Sequence, residues 1–175
     1  MPNVVILFGI AGSGKSTLAG ILESRFDVCH IDSDHVARPL VERGMPPDEA
    51  YPASLAILYE MAVGGRSVPY DYVYTDSCAR ASNWATIERL SMAASVSLTA
   101  VRILCEVGVA LERIERRART DMVRNDRGEL LGQLSFHQSL PGTYASFAND
   151  GEMPPEFIAD RIANVAQLRP RRVVK

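Results

Sequence analysis

Gly9-Ile10-Ala11-Gly12-Ser13-Gly14-Lys15-Ser16 decides how this chain is read. It fits the spacing G-x-x-x-x-G-K-[ST]. The apolar run Asn3–Phe8 (NVVILF) precedes it and a helical pattern over Ser16–Arg25 follows, which is the strand–loop–helix context the motif requires. Glycines let successive backbone N–H groups turn inward toward an anion. The N-terminus of the following helix adds partial positive charge. Gly9, Gly12, Ser13 and Gly14 therefore read as a cradle for the phosphates of a nucleotide. Lys15 brings a mobile ammonium to the β- and γ-phosphates. Ser16 offers a hydroxyl to Mg²⁺, an ion that keeps most of its waters, and Thr17 supports the α-phosphate side.

Working outward, the run Asn3–Phe8 is continuously apolar, as in a strand covered on both faces. A second run, Asp27–Ile31, leads to Asp32-Ser33-Asp34. Pro46-Pro47-Asp48-Glu49 opens a helix with an apolar face at Ala53, Ile57, Leu58 and Met61, and Gly64-Gly65 closes it. Ser67–Tyr74 predicts a third strand, although Pro69 is unusual in a central one. Trp84, Ile87, Leu90 and Ala94 have helical spacing. Leu98–Cys105 predicts a fourth strand, and Val107, Leu111, Ile114 and Ala118 the next helix. Arg119–Gly132 is polar and reads as an exposed loop or lid. Helices are expected within Leu130–Leu140, around Pro141–Asn149 and over Pro155–Leu168. Alternating strands and helices predict an α/β domain: a parallel sheet with helices on both faces. With no linker and no repeat, residues 1–175 read as one domain.

Composition agrees. The chain has 175 residues, 47% of them hydrophobic and 23% charged, and a net charge of −2, which excludes a disordered or collagen-like chain. The mild acidity disfavours a partner of long nucleic acid. No apolar run reaches the roughly 18 residues of a membrane helix, and no secretory signal is read at the N-terminus. Cys29, Cys78 and Cys105 are odd in number and widely spaced, which suits a reducing cytoplasm better than a disulfide framework or zinc site. Of 19 basic residues, 17 are Arg, and the only lysines are Lys15 and Lys175. That leaves no room for the N-K-x-D of a GTPase.

With GxxGSGKST at the N-terminus, Asp32-Ser33-Asp34 ending the second apolar run, Gly65–Val68 (GRSV) and an Arg-rich stretch after strand four, the chain resembles small P-loop kinases. It is most similar to the AAA-type predicted kinases, relatives of polynucleotide 5′-kinases, chloramphenicol phosphotransferase, zeta toxins, gluconate kinase and adenylylsulfate kinase. The resemblance spans roughly residues 3–120. It implies a three-layer P-loop kinase fold, with five parallel strands in the order 2-3-1-4-5 under a lid over about 116–132. It also implies ATP·Mg²⁺-dependent phosphoryl transfer to a hydroxyl of a small molecule such as a nucleoside, sugar or antibiotic.

In such kinases an acid after strand two lies beside the acceptor. Asp34 is favoured as the group that accepts the hydroxyl proton, with Asp32 as a base or outer Mg²⁺ partner; either also suits a helix cap. Relatives often carry Arg three residues after the second acid. Here that place is Ala37, and Arg38 follows as a substrate-binding candidate. The acid of strand three matches Asp71, or Asp76 if the strand runs longer. Arg80 is a further candidate for an anionic substrate, or a solvated helix residue.

Arg113, Arg116, Arg117, Arg119, Arg124 and Arg127 place six guanidiniums within 15 residues, with Arg113, Arg116 and Arg117 expected on one helix face. Guanidinium is planar, always charged and suited to bidentate phosphate contact. Arg116 and Arg119 are expected at the transferring phosphoryl group. The expected assembly is a cytoplasmic monomer or homodimer. A nucleotide-binding regulator or toxin-like module with little turnover, or a polynucleotide 5′-end kinase, are the alternatives.

Overall fold

In the computed structural model, residues 1–64, 71–76, 81–93, 96–117, 126–140 and 144–171 are described. The order is β1 (Asn3–Phe8), α1 (Lys15–Arg25), β2 (Val28–Asp32), α2 (Ser33–Glu42), α3 (Pro47–Gly64), β3 (Asp71–Asp76), α4 (Ala81–Met92), β4 (Ser97–Leu104), α5 (Val107–Arg116), α6 (Arg127–Ser139), β5 (Ala145–Ala148) and α7 (Pro155–Ala166). The strands pair in parallel as β2-β3-β1-β4-β5, as expected.

The unbroken apolarity of β1 follows from its central place. Successive side chains of a strand point to opposite faces. Val5 and Leu7 pack with Leu18 and Leu22 of α1 and with Ile158 and Ile162 of α7. Val4, Ile6 and Phe8 pack on the other face with Leu55 and Leu58 of α3 and with Trp84, Ile87 and Leu90 of α4. Both faces of β1 are covered, so no polar position is tolerated between Val4 and Phe8.

Three expectations change, and one helix is added to them. Strand three is described over Asp71–Asp76 and runs two residues past the expected end at Tyr74, while positions 67–70 of the expected strand lie outside the described residues; every residue of Asp71–Asp76 is buried. Its tyrosines fit a central strand because Tyr74 is served inside: its hydroxyl meets Ser54 Oγ at 2.7 Å and donates to Asp76 Oδ2 at 3.1 Å. The helix expected around Pro141–Asn149 is instead strand β5, which closes the open edge of β4 with Val101 opposite Ala145. Part of the expected lid loop is helical, because Asp126 caps α6 by accepting Glu129 N–H at 3.0 Å. Finally, α2 follows β2 without a gap, with Asp32 as its cap. Its signal was present in Val36, Ala37, Leu40 and Val41, whose spacing gives one apolar stripe.

Parallel strands place all their C-terminal ends at one edge. That edge carries the loop after β1, the Asp32–Asp34 turn, Asp76 and Asn149.

Candidate functional site

The loop between β1 and α1 is held from both sides. Gly12 has φ +78° and Gly14 φ +90°, the left-handed region that L side chains rarely adopt. There is also no room for a side chain: a Cβ on Gly12 would lie 2.5 Å from the Ala110 carbonyl oxygen, and one on Gly14 would strike the Asn149 amide. Asn149 Nδ2 donates to Ser13 O at 2.8 Å, and Arg113 Nη1 donates to Asn149 O at 2.7 Å. Arg113, in the last turn of α5 with Arg116, therefore braces the loop through Asn149, the residue after β5. Ser13 is fully buried, and its hydroxyl has no partner among the described residues, an orphan expected where a ligand completes the site.

Lys15 folds back over the loop and donates to the carbonyls of Gly9 and Ile10, each at 2.9 Å. Ser16 and Thr17 are exposed in the first turn of α1. Ser16 Oγ donates to Asp32 Oδ2 at 3.0 Å, while Asp32 Oδ1 accepts Asp34 N–H at 2.9 Å. One carboxylate thus joins the loop to the start of α2. No group of three or more His, Cys, Asp or Glu that would hold a metal occurs among the described residues. A hydroxyl beside one carboxylate nevertheless fits Mg²⁺, a hard ion that takes oxygen donors and retains waters next to phosphates.

Asp34 is exposed as a residue, yet protein surrounds its carboxylate. Tyr51 Oη donates to its Oδ1 at 2.8 Å. Burial pushes its pKa up from the ordinary carboxylate value. Against that, the Tyr51 hydrogen bond pulls it down; the negative charges of Asp32 and Asp76 add to the rise, and Lys15 opposes them. Asp34, Asp32, Asp76 and Lys15 are therefore brought into one electrostatic neighbourhood. Below them Asp76 is buried, receiving Tyr74 Oη and, at 3.4 Å, Asn83 Nδ2.

Of the two candidate acids on strand three, Asp76 is the one brought to the site, and the expectation for Asp71 is corrected. Asp71 begins β3 at the opposite edge of the sheet, fully buried, where it accepts Asn3 N–H at 2.8 Å, Asn3 Nδ2 at 3.2 Å and Arg169 Nη2 at 3.4 Å. It ties the start of the sheet to the C-terminal segment. Arg38 lies one turn after Asp34 on α2, its Nε buried without a partner among the described residues. Arg116 is exposed and pairs with Glu112 at 3.2 Å. Arg80 and Arg119 lie outside the described residues. Tyr51 and Asn149 were not legible as site residues, because each acts across a sequence separation that no local pattern marks.

A family model described as an AAA domain matches residues 4–139. Among solved structures, the chain is similar to a sugar kinase from Janibacter sp. HTCC2649, at 20% identity over 94% of each chain with a TM-score of 0.67. It is similar to a gluconokinase from Sinorhizobium meliloti 1021, at 22% identity over 95% of this chain and 94% of that one, TM-score 0.63. It is also similar to an APS kinase from Mycobacterium tuberculosis in complex with AMPPNP and APS, at 15% identity over 95% and 98%, TM-score 0.65. No curated protein matches significantly. At these identities the structural likeness establishes the fold, that of small P-loop kinases.

Proposed function

Because the chain belongs to the AAA-domain family, whose model spans residues 4–139, we propose that it is a P-loop kinase moving the γ-phosphoryl group of ATP to a hydroxyl of a small molecule. The observation that carries this reading is the double use of Asp32: one carboxylate oxygen on Ser16 of the phosphate loop, the other on the backbone of Asp34. It holds a phosphate cradle and a candidate base at a fixed separation, which a binding module has no need to do.

Lys15 and the loop N–H groups bind the β- and γ-phosphates. Asp34 accepts the proton of the acceptor hydroxyl and orients its oxygen toward the γ-phosphorus. The new P–O bond forms as the bond to ADP breaks, and ADP leaves with that electron pair. Arg116 and Arg119 supply positive charge to the equatorial oxygens. Ser16, with Asp32 behind it, is the residue that would hold Mg²⁺, which neutralises phosphate charge when bound. The kinase relatives in the fold comparison, one of them holding AMPPNP, support ATP as donor.

The test is ADP release with ATP and Mg²⁺ over a panel of nucleosides, sugars, antibiotic alcohols and an oligonucleotide 5′-OH end. Acceptor-dependent ADP release that is lost in Lys15→Ala and Asp34→Asn is expected. ATP binding with no acceptor-dependent release would replace the kinase by a nucleotide-binding regulator.

A further inference from the structure

Helix α6 docks on the phosphate loop through an apolar face interrupted by one amide. Leu130 and Leu134 pack with Ile10 and Ala11 of the loop and Ala110 of α5. Beside them, Gln133 Oε1 accepts the Ala11 N–H at 3.0 Å. A backbone N–H only donates, so the carboxamide oxygen is the atom that meets it.

The same peptide unit carries the second contact. Its carbonyl, that of Ile10, accepts from Lys15 Nζ at 2.9 Å. One peptide plane thus has Gln133 on its N–H edge and Lys15 on its oxygen edge. The plane is rigid, so fixing the direction of the N–H fixes that of the carbonyl. Donation from the N–H also polarises the carbonyl and strengthens it as an acceptor. A leucine or methionine at position 133 would satisfy the packing; only a side chain with an oxygen acceptor satisfies the N–H fully, a thioether sulfur being a weak acceptor.

We infer that Gln133 is a positioning residue for Lys15, setting through the Ile10–Ala11 peptide where the ammonium meets the terminal phosphates. The inference rests on the phosphate-binding reading of Lys15. It makes α6, the helix after the arginine-rich stretch, part of the nucleotide site.

The chain's two lysines, Lys15 and Lys175, make the experiment direct, because lysine-selective isotope labelling yields two side-chain signals. Lys15→Ala assigns them. In the nucleotide-free protein, Gln133→Met is expected to shift the Lys15 signal and leave Lys175 in place. Gln133→Glu, which keeps the acceptor, is expected to restore it. Gln133→Met is also expected to weaken ATP binding about five-fold, the weight of one lost hydrogen bond, with the melting temperature little changed. An unmoved Lys15 signal in Gln133→Met overturns the inference, as does an equal shift in Gln133→Met and Gln133→Glu, which would mark mere displacement of the helix. If Lys15→Ala binds ATP as tightly as the parent, the phosphate-cradle reading fails by itself, and the nucleotide-free Lys15 signal still decides the peptide coupling.

Discussion

Asp32 directs one carboxylate oxygen to Ser16 and the other to the Asp34 N–H, so the residue proposed as base is placed by the residue beside the cradle. Asp34 must be ionised to take a proton, and its neighbours set the pH at which that happens. Tyr51 lowers its pKa while burial and the charge of Asp76 raise it. Tyr51→Phe is therefore expected to move the acidic limb of the rate–pH profile to higher pH and Asp76→Asn to lower pH; limbs that stay in place in both variants would remove Asp34 as the base. The same shift bears on stability. A carboxyl whose folded pKa lies above its unfolded one holds its proton better when folded. Its favourable contribution is complete below the unfolded pKa and is lost as pH rises through the folded one. Asp34→Asn, which still accepts from Tyr51, is expected to melt above the parent at neutral pH, and the difference is expected to vanish in acid. At this scale Gly12, Gly14, Lys15 and Ser16 were legible because their chemistry is encoded in adjacent positions. Tyr51 was not, since its hydroxyl reaches Asp34 only through the packing of α2 on α3.

Among the elements, β3 shows how much a shift of a few residues matters. Two aspartates bound it, and the strand direction sends Asp76 to the phosphate edge and Asp71 to the other. Asp71→Ala removes the acceptor of the half-buried Asn3 N–H and is expected to cost about 1 kcal/mol in denaturant unfolding, with ATP affinity unchanged. A loss of affinity without a loss of stability would return Asp71 to the site. The strand β5 escaped the sequence because its four residues, ASFA, carry little pattern; pairing with β4 decides their conformation. On α5, the Arg116–Glu112 pair is exposed and of i,i+4 type, so it contributes a few tenths of a kcal/mol. Arg116→Ala is expected to shift the melting temperature by less than about 2 °C. It is expected to cut turnover on the order of 100-fold if the guanidinium serves the transferring phosphoryl group. Unaltered turnover would leave Arg116 a solvated surface residue.

For the whole molecule, the site is the shared edge of five parallel strands, so ligand and fold are linked. ATP·Mg²⁺ at about 100 times its dissociation constant is expected to raise the melting temperature by roughly 5–10 °C. Lys15→Ala is expected to abolish the rise, and a rise that survives the substitution would place ATP elsewhere. No described helix is long and apolar enough to cross a membrane. By itself the sequence determined the phosphate loop, the α/β alternation and the central strand, since each is written in contiguous residues whose spacing is the physical requirement. Tertiary structure alone decided which aspartate of β3 reaches the cradle, that Arg113 turns inward to Asn149, and that Gln133 and Lys15 share one peptide group. Those are contacts between residues distant in the chain. They arise from strand direction and helix docking, which no local spacing encodes.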